Sequence, residues 1–381
     1  MLESIAALFG GLILPVYVLY FRLYEISLLQ VAILAAVFEA TVVIFELPTG
    51  LFADHRGRRL SVIMGFLGFG FSGLIFLLFR SFAGFLVAEI VFGISETFIS
   101  GALEALAVES LDKKNRNDFL PTLFARRTAY KNAALVIGMI AGGLLAGNFL
   151  SYLFLPVTLI AFSGVPVALF LRESKRPTDG IATNKIPLRS MISSILTRTA
   201  MPALFAVGLF ANFTYEGVDQ YWQILFAELR DVDPISFGLI TSAGLLLVVF
   251  SANYLRRWYT RISTYLTVCF LLMAVALYLA AAGPLAAAVA GIILFFALKE
   301  LIRPAISTNI NNAIGDHRRA TVLSGYNLTC SVGEVLAGIG VGLLASRYGV
   351  VTVFHIAVFG AVGVLLVYHV VMFAGGTRKT A

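Results

Sequence analysis

The chain has 381 residues, of which 59% are hydrophobic and 13% charged, against about 45–50% and about 25% in an average soluble domain. That composition excludes an ordinary soluble globule. The formal charge of +7 would suit a nucleic-acid binder only if the bases formed a patch on a soluble face; they sit instead in short connections between apolar runs, which excludes nucleic acid as a partner.

Runs long enough to cross a hydrocarbon core of about 30 Å fall at about residues 4–22, 28–50, 60–79, 82–109, 122–147 and 150–171, then at about 200–226, 235–255, 262–282, 285–312, 320–345 and 350–374. The first run lacks the basic start and small-residue cleavage pattern of a secretory signal, so it reads as the first span. The runs are continuous and do not alternate with a period of two, which disfavours a β-barrel. Helices satisfy their own backbone in lipid, so the expected fold class is an all-α integral membrane protein with twelve spans. A polar stretch from Arg172 to Arg198 separates the sixth span from the seventh. It predicts an N-terminal six-helix bundle over 1–172, a cytoplasmic linker over 173–198 and a C-terminal six-helix bundle over 199–381.

Orientation follows from the excess of Lys and Arg in cytoplasmic connections. With both termini inside, 19 of the 28 bases fall on the inner side, Arg56, Arg58, Arg59, Lys113, Lys114 and Arg176 among them, and only Arg22, Arg80, Arg230 and Arg347 on the outer. Two inner connections correspond across the halves: Leu111–Arg116 and Gly315–Arg319 each follow a long span and pair an acid with a cluster of bases. Parallel halves related by an axis along the membrane normal are one construction of secondary transporters. Cys269 and Cys330 lie in apolar runs without CxxC spacing and read as small packing residues.

Between spans two and three runs Gly50-Leu51-Phe52-Ala53-Asp54-His55-Arg56-Gly57-Arg58-Arg59. A tight turn with positive-inside anchoring would account for its composition. Its order matches G-x-x-x-D-x-x-G-R-R/K at every fixed position, and in this the chain resembles the major facilitator superfamily, in particular its bacterial exporter-like branch. Further matches are Glu46-Leu47-Pro48-Thr49-Gly50, Gly101-Ala102-Leu103-Glu104-Ala105 and Arg319-Ala320-Thr321-Val322-Leu323-Ser324. The resemblance implies a major facilitator fold of two pseudo-symmetric six-helix bundles. It implies a monomer in the bacterial cytoplasmic (inner) membrane, without cofactor or bound metal. It also implies that Asp54 and Arg58, beside Arg59, latch an inner gate, with Gly50 and Gly57 permitting close helix approach. Two departures leave export and import both open. The span-four arginine of R-x-x-x-G is Glu89 here, followed by Gly93, and the span-five stretch Gly138-Met139-Ile140-Ala141-Gly142-Gly143 lacks the exporter proline.

An ionisable group at mid-bilayer costs about 2.5–3.5 kcal/mol on insertion scales, so each needs a partner, a wet cavity or a function. Glu39 and Glu46 in span two, and Glu89 and Glu96 in span four, are each seven apart and return to one helix face, with Gly93 and Ser100 on the span-four stripe. Glu39, Glu89 and Glu96 read as proton acceptors or cation contacts, or else as buried ion-pair partners of Lys131 or Lys299; Glu39 and Glu96 are the preferred proton-coupling candidates, by depth and by facing. Span seven adds Glu216 and Asp219, span ten Lys299 and Arg303 on one face before Pro304, and span eleven Asn327 and Glu334. Pro304 is expected to loosen its helix by removing a backbone donor. The acids outnumber the bases at depth. That favours a cationic or zwitterionic substrate, and the resemblance implies secondary active transport of a small organic molecule by alternating access, with binding near the midplane between the halves. Proton-coupled efflux of a lipophilic, cationic or zwitterionic compound leads, and proton-coupled import of a small nutrient or metabolite is the alternative. A non-transporting receptor would need larger loops or tails. The chain also lacks H-E-x-x-H, G-x-S-x-G and the Walker motif, which argues against an enzyme or an intrinsic ATPase.

Overall fold

The computed structural model describes residues 1–109, 116–171, 200–313 and 319–377. The predicted linker and most of the Leu111–Arg116 and Gly315–Arg319 connections lie outside the described residues. Thirteen α-helices and two short 3₁₀ segments make up the described chain. In order the helices are α1 (Leu2–Ile13), α2 (Tyr17–Leu23), α3 (Leu28–Arg56), α4 (Arg58–Leu78), α5 (Phe82–Glu109), α6 (Arg116–Phe149) and α7 (Phe154–Leu169). They continue with α8 (Ala200–Ala227), α9 (Ile235–Leu255), α10 (Ile262–Ala282), α11 (Leu285–Ala313), α12 (Arg319–Tyr348) and α13 (Val350–Thr377).

Each helix covers one predicted span except the first pair, which shares one. The predicted span 4–22 is broken between α1 and α2, whose axes are bent by 47°. Pro15 lies in the break, where it lacks an N–H and its ring crowds the carbonyl one turn back. Eight of the described helices are long and apolar enough to cross a membrane, nine with the bent pair counted as one. Helix α3 begins at a capping box, in which Ser27 Oγ accepts from the Gln30 N–H at 3.3 Å and Gln30 Oε1 accepts from the Ser27 N–H at 2.9 Å. It runs on to Arg56, past the end expected from hydropathy, because backbone hydrogen bonding continues where the apolar run stops. Proline does not interrupt it at Pro48, nor α11 at Pro304, so the loosening expected there leaves a continuous helix.

Chain contacts divide the molecule into two compact units. Among the described residues, one holds those up to 171 together with 226–242, and the other holds 200–225 and 243–377. Lipid gives little hydrophobic drive between helices, so small residues that let backbones approach decide the packing. In the first unit Gly138 and Gly11 bring α6 onto α1: a Cβ on Gly138 would lie 2.3 Å from the Leu8 carbonyl oxygen. Five residues along the same helix the contact changes partner. A Cβ on Gly143 would lie 2.7 Å from the Ile235 carbonyl oxygen, and one on Gly238 would lie 2.1 Å from that of Met139. The start of α9 is thereby seated on α6, with Ser242 Oγ beside the Met139 sulfur.

Helices α4 and α5 are joined by hydroxyls, Ser61 Oγ donating to the Phe98 carbonyl at 2.7 Å and Ser72 Oγ to that of Ala88 at 2.8 Å. Tyr20, Phe21, Phe76, Phe85 and Phe154 form an aromatic core at the α2 end, where Tyr20 also donates to the Phe76 carbonyl. In the second unit α8 packs on α12 through Gly333, where a Cβ would lie 2.3 Å from the Leu209 carbonyl oxygen, and through Gly208 against Tyr326. Tyr215 and Trp222 of α8 stand edge-on to Phe295 and Phe296 of α11. Cys269 and Cys330 are buried and unbridged, as expected of packing residues.

Candidate functional site

The packing of α8 against α11 and α12 brings four of the sequence-predicted residues together. Lys299 of α11 forms an ion pair with Asp219 of α8, both half-buried. One turn back on α8, Glu216 accepts a hydrogen bond from the Gln220 side-chain amide. The charges of Asp219, Glu334 and Lys299 all act on Glu216, and those of Asp219, Glu300 and Glu334 all act on Lys299. Glu334 of α12 is carried towards α8 because Gly333, its neighbour, permits the close helix contact.

Three carboxylates therefore converge on one ammonium. Asp219 receives it; Glu216 is held by a neutral amide. A low-dielectric surround makes the excess negative charge costly unless a cation or a proton complements it. Two further groups at this place have no hydrogen-bond partner among the described residues: the Tyr215 hydroxyl and Gln220 Oε1, on residues only 4% and 3% exposed. The oxygen of Gln220 can only accept, so it awaits a donor. An ammonium carries both the positive charge that the carboxylates lack and N–H donors of the kind that oxygen accepts.

Arg303, one turn beyond Lys299, does not share its surroundings. It is exposed, and its charge acts on Tyr326 and Cys330 of α12. Asn327 is exposed as well. Tyr215 and Gln220 were visible in the sequence as polar residues of span seven, but neither was marked for the site. The signal for Gln220 was its spacing of four from Glu216, which places the two side chains on one helix face.

The acids of the first unit are arranged differently. Glu89 is 5% exposed and has no hydrogen-bond or ion-pair partner among the described residues. One turn further along α5, Gly93 rests on α3 at the Phe38 carbonyl and Thr41. Glu96 and Ser100, on the same stripe, are exposed, and Lys131 of α6 acts electrostatically on Glu96. Glu39 of α3 is half-buried. The ion pairs considered from sequence are thus redistributed: Lys299 serves Asp219, Lys131 lies near Glu96, and Glu89 has neither.

The signature decapeptide forms the join between α3 and α4. Gly57 has φ 106° and ψ 143°, a conformation essentially reserved to glycine. Its N–H bonds the Ala53 carbonyl and its own carbonyl accepts from Ser61, so one residue ends one helix and starts the next. Asp54 is exposed, while Arg58 and Arg59 are half-buried on the first turn of α4. No atom lies within 4 Å of where a Cβ on Gly50 would stand, so the close approach expected at that residue is absent among the described residues.

Eight or nine helices able to cross a membrane among the described residues, a glycine-hinged signature turn and a charged cluster within the helices together describe a polytopic membrane transporter. A family model described as Major Facilitator Superfamily matches residues 2–338, and the chain belongs to that family. Among its relatives is the uncharacterized MFS-type transporter YxaM of Bacillus subtilis (strain 168), 24% identical over 95% of this chain and 93% of that protein. Multidrug resistance protein 2 of the same organism is 24% identical over 85% of this chain and 82% of its own length. The nucleoside transporter NupG shares the fold, with a TM-score of 0.82 at 13% identity over 98% of this chain and 97% of that one.

Proposed function

We propose that the protein is a proton-coupled exporter of lipophilic organic molecules bearing a cationic or zwitterionic amine, working by alternating access as a monomer in the bacterial inner membrane with both termini cytoplasmic. The observation that carries this reading is the convergence of Glu216, Asp219 and Glu334 on Lys299, beside the unpartnered Gln220 oxygen. A cationic substrate supplies the missing positive charge and the missing donor. Similarity to a multidrug resistance protein supports export, and the acid in place of the span-four arginine keeps import as the competing direction. Glu89 is the group assigned to the proton, since an ionised carboxylate at that place would have no counter-charge among the described residues.

Reconstitution into liposomes with an imposed pH gradient tests direction and charge preference together. Inside-out vesicles acidified within should accumulate a fluorescent lipophilic amine, and Glu216→Gln should lower its accumulation at least about tenfold, the equivalent of about 1.4 kcal/mol of binding. Accumulation only in right-side-out vesicles acidified outside would make the protein an importer. Equal transport of a neutral isostere would remove the amine from the reading.

A further inference from the structure

A second candidate site, a largely apolar pocket with charged groups on its wall, lies in the first unit, away from the α8–α11–α12 cluster. The first turn of α1 and the Leu123–Tyr130 stretch of α6 line a half-open pocket of about 230 Å³, to which Glu3, Ser4, Leu123, Arg126, Arg127 and Tyr130 contribute. Arg127 grips both oxygens of the Glu3 carboxylate, with Nε to Oε2 at 2.9 Å, and its guanidinium lies 5.0 Å from the Phe124 ring centroid. That pair fixes the wall of the pocket and has no net charge. Arg126 lines the same pocket, is exposed, and makes no hydrogen bond or ion pair among the described residues. Lys131, also exposed, acts electrostatically on Glu3 from the next turn of α6. Beyond the neutral pair, Arg126 is the side-chain cation on the lining, and Lys131 acts from outside it.

Its depth says which anion suits it. The apolar stretch of α6 suited to crossing the membrane is Thr122–Tyr152; Leu123, Arg126 and Tyr130 lie towards one end of it, the end of a span that meets lipid headgroups. Tyr130 is 68% exposed there, the interfacial position in which a tyrosine ring meets acyl chains while its hydroxyl stays wet. A guanidinium accepts a phosphate by two parallel N–H bonds, and basic pockets between membrane helices at this level suit anionic headgroups. We propose that this pocket binds the phosphodiester headgroup of an anionic phospholipid, with Arg126 as its receiving cation and Leu123 and Tyr130 against its glycerol and upper acyl carbons. The site is independent of which substrate the protein moves and in which direction.

Thermal unfolding of the full chain in a non-ionic detergent, with native mass spectrometry alongside, tests it. Added phosphatidylglycerol should raise Tm above the value in phosphatidylcholine by about 2–4 °C, the shift that a single weak ligand gives, and should be retained as a bound adduct. Arg126→Ala should abolish the difference between the two lipids, and Arg126→Lys should keep part of it, because Arg126 has no partner among the described residues whose loss would unfold the chain. Equal stabilisation by the two lipids, or an undiminished preference in Arg126→Ala, would overturn the proposal. So would an equal Tm rise from inorganic phosphate alone, which would make the pocket a free-anion site.

Discussion

The first unit keeps its membrane-embedded acids apart, whereas the second gathers them. Glu89 is buried without a partner among the described residues, Glu96 is exposed, and Glu39 stands on a different helix. Glu216, Asp219 and Glu334 instead share one ammonium across three helices. The difference separates two ways of carrying charge in a low-dielectric interior. A solitary carboxylate can exchange a proton without rearranging neighbours, while a cluster answers to any added cation by redistributing its ion pairs. On the proposed reading, coupling lies with the solitary group and recognition with the clustered ones.

The largest effect is expected where the cluster loses its internal counter-ion. Lys299→Ala leaves Asp219, Glu216 and Glu334 without the ammonium they share, and removing one partner of a buried pair costs about 3–5 kcal/mol; the side chains of the Asp219–Lys299 pair are 27% and 29% exposed, which puts the expectation near the lower end. Thermal unfolding in detergent should show the loss, and the double variant Asp219→Leu with Lys299→Met should regain most of it. A double variant as unstable as the single one would show that the pair's hydrogen bonds, and not its charges, hold α8 to α11.

A smaller effect on stability, and a different one on function, is expected at the solitary acid. Glu89→Gln keeps the shape and removes the ionisable proton, so stability should change by less than about 1 kcal/mol. The dependence of transport on external pH should flatten, while substrate affinity at a fixed pH stays within about threefold. Retention of the full pH profile would move the coupling role to Glu39 or Glu96.

Much of this architecture could be read from the residues, and the exceptions have physical causes. Continuous hydrophobicity located the long helices, because a helix that crosses the membrane must be apolar over the full thickness of the hydrocarbon. It overlooked the bend at Pro15, since proline is nearly neutral in hydropathy and its effect is steric. Acid residues in spans four and seven were equally visible, but their surroundings were not. Glu89 and Glu96 lie on one stripe of α5, and only the cover given by α3 at Gly93 distinguishes buried from open. The partner of Lys299 was hidden for the same reason: Asp219 is 80 residues away in sequence, and no periodicity within α11 points to it. Gly50 shows the reverse, a residue marked by a motif whose surroundings are open.

The smallest expected effect completes the contrast, because it concerns the same chemistry at the surface. Arg22 Nε and Glu228 Oε1 are 3.0 Å apart, with side chains 33% and 42% exposed, and they tie the end of α2 to the 226–242 segment within the first unit. Exposed pairs of this kind contribute about 0–1 kcal/mol and weaken with salt. The segment has a stronger hold in the backbone contact of Gly238 with Met139. Arg22→Ala and Glu228→Ala should therefore each leave Tm almost unchanged, and a double-mutant cycle should give a coupling below about 1 kcal/mol that vanishes in high salt. A coupling as large as that at Asp219–Lys299 would mean that water is kept from this pair in the membrane, and that the seating of α9 on α6 depends on charge as much as on glycine.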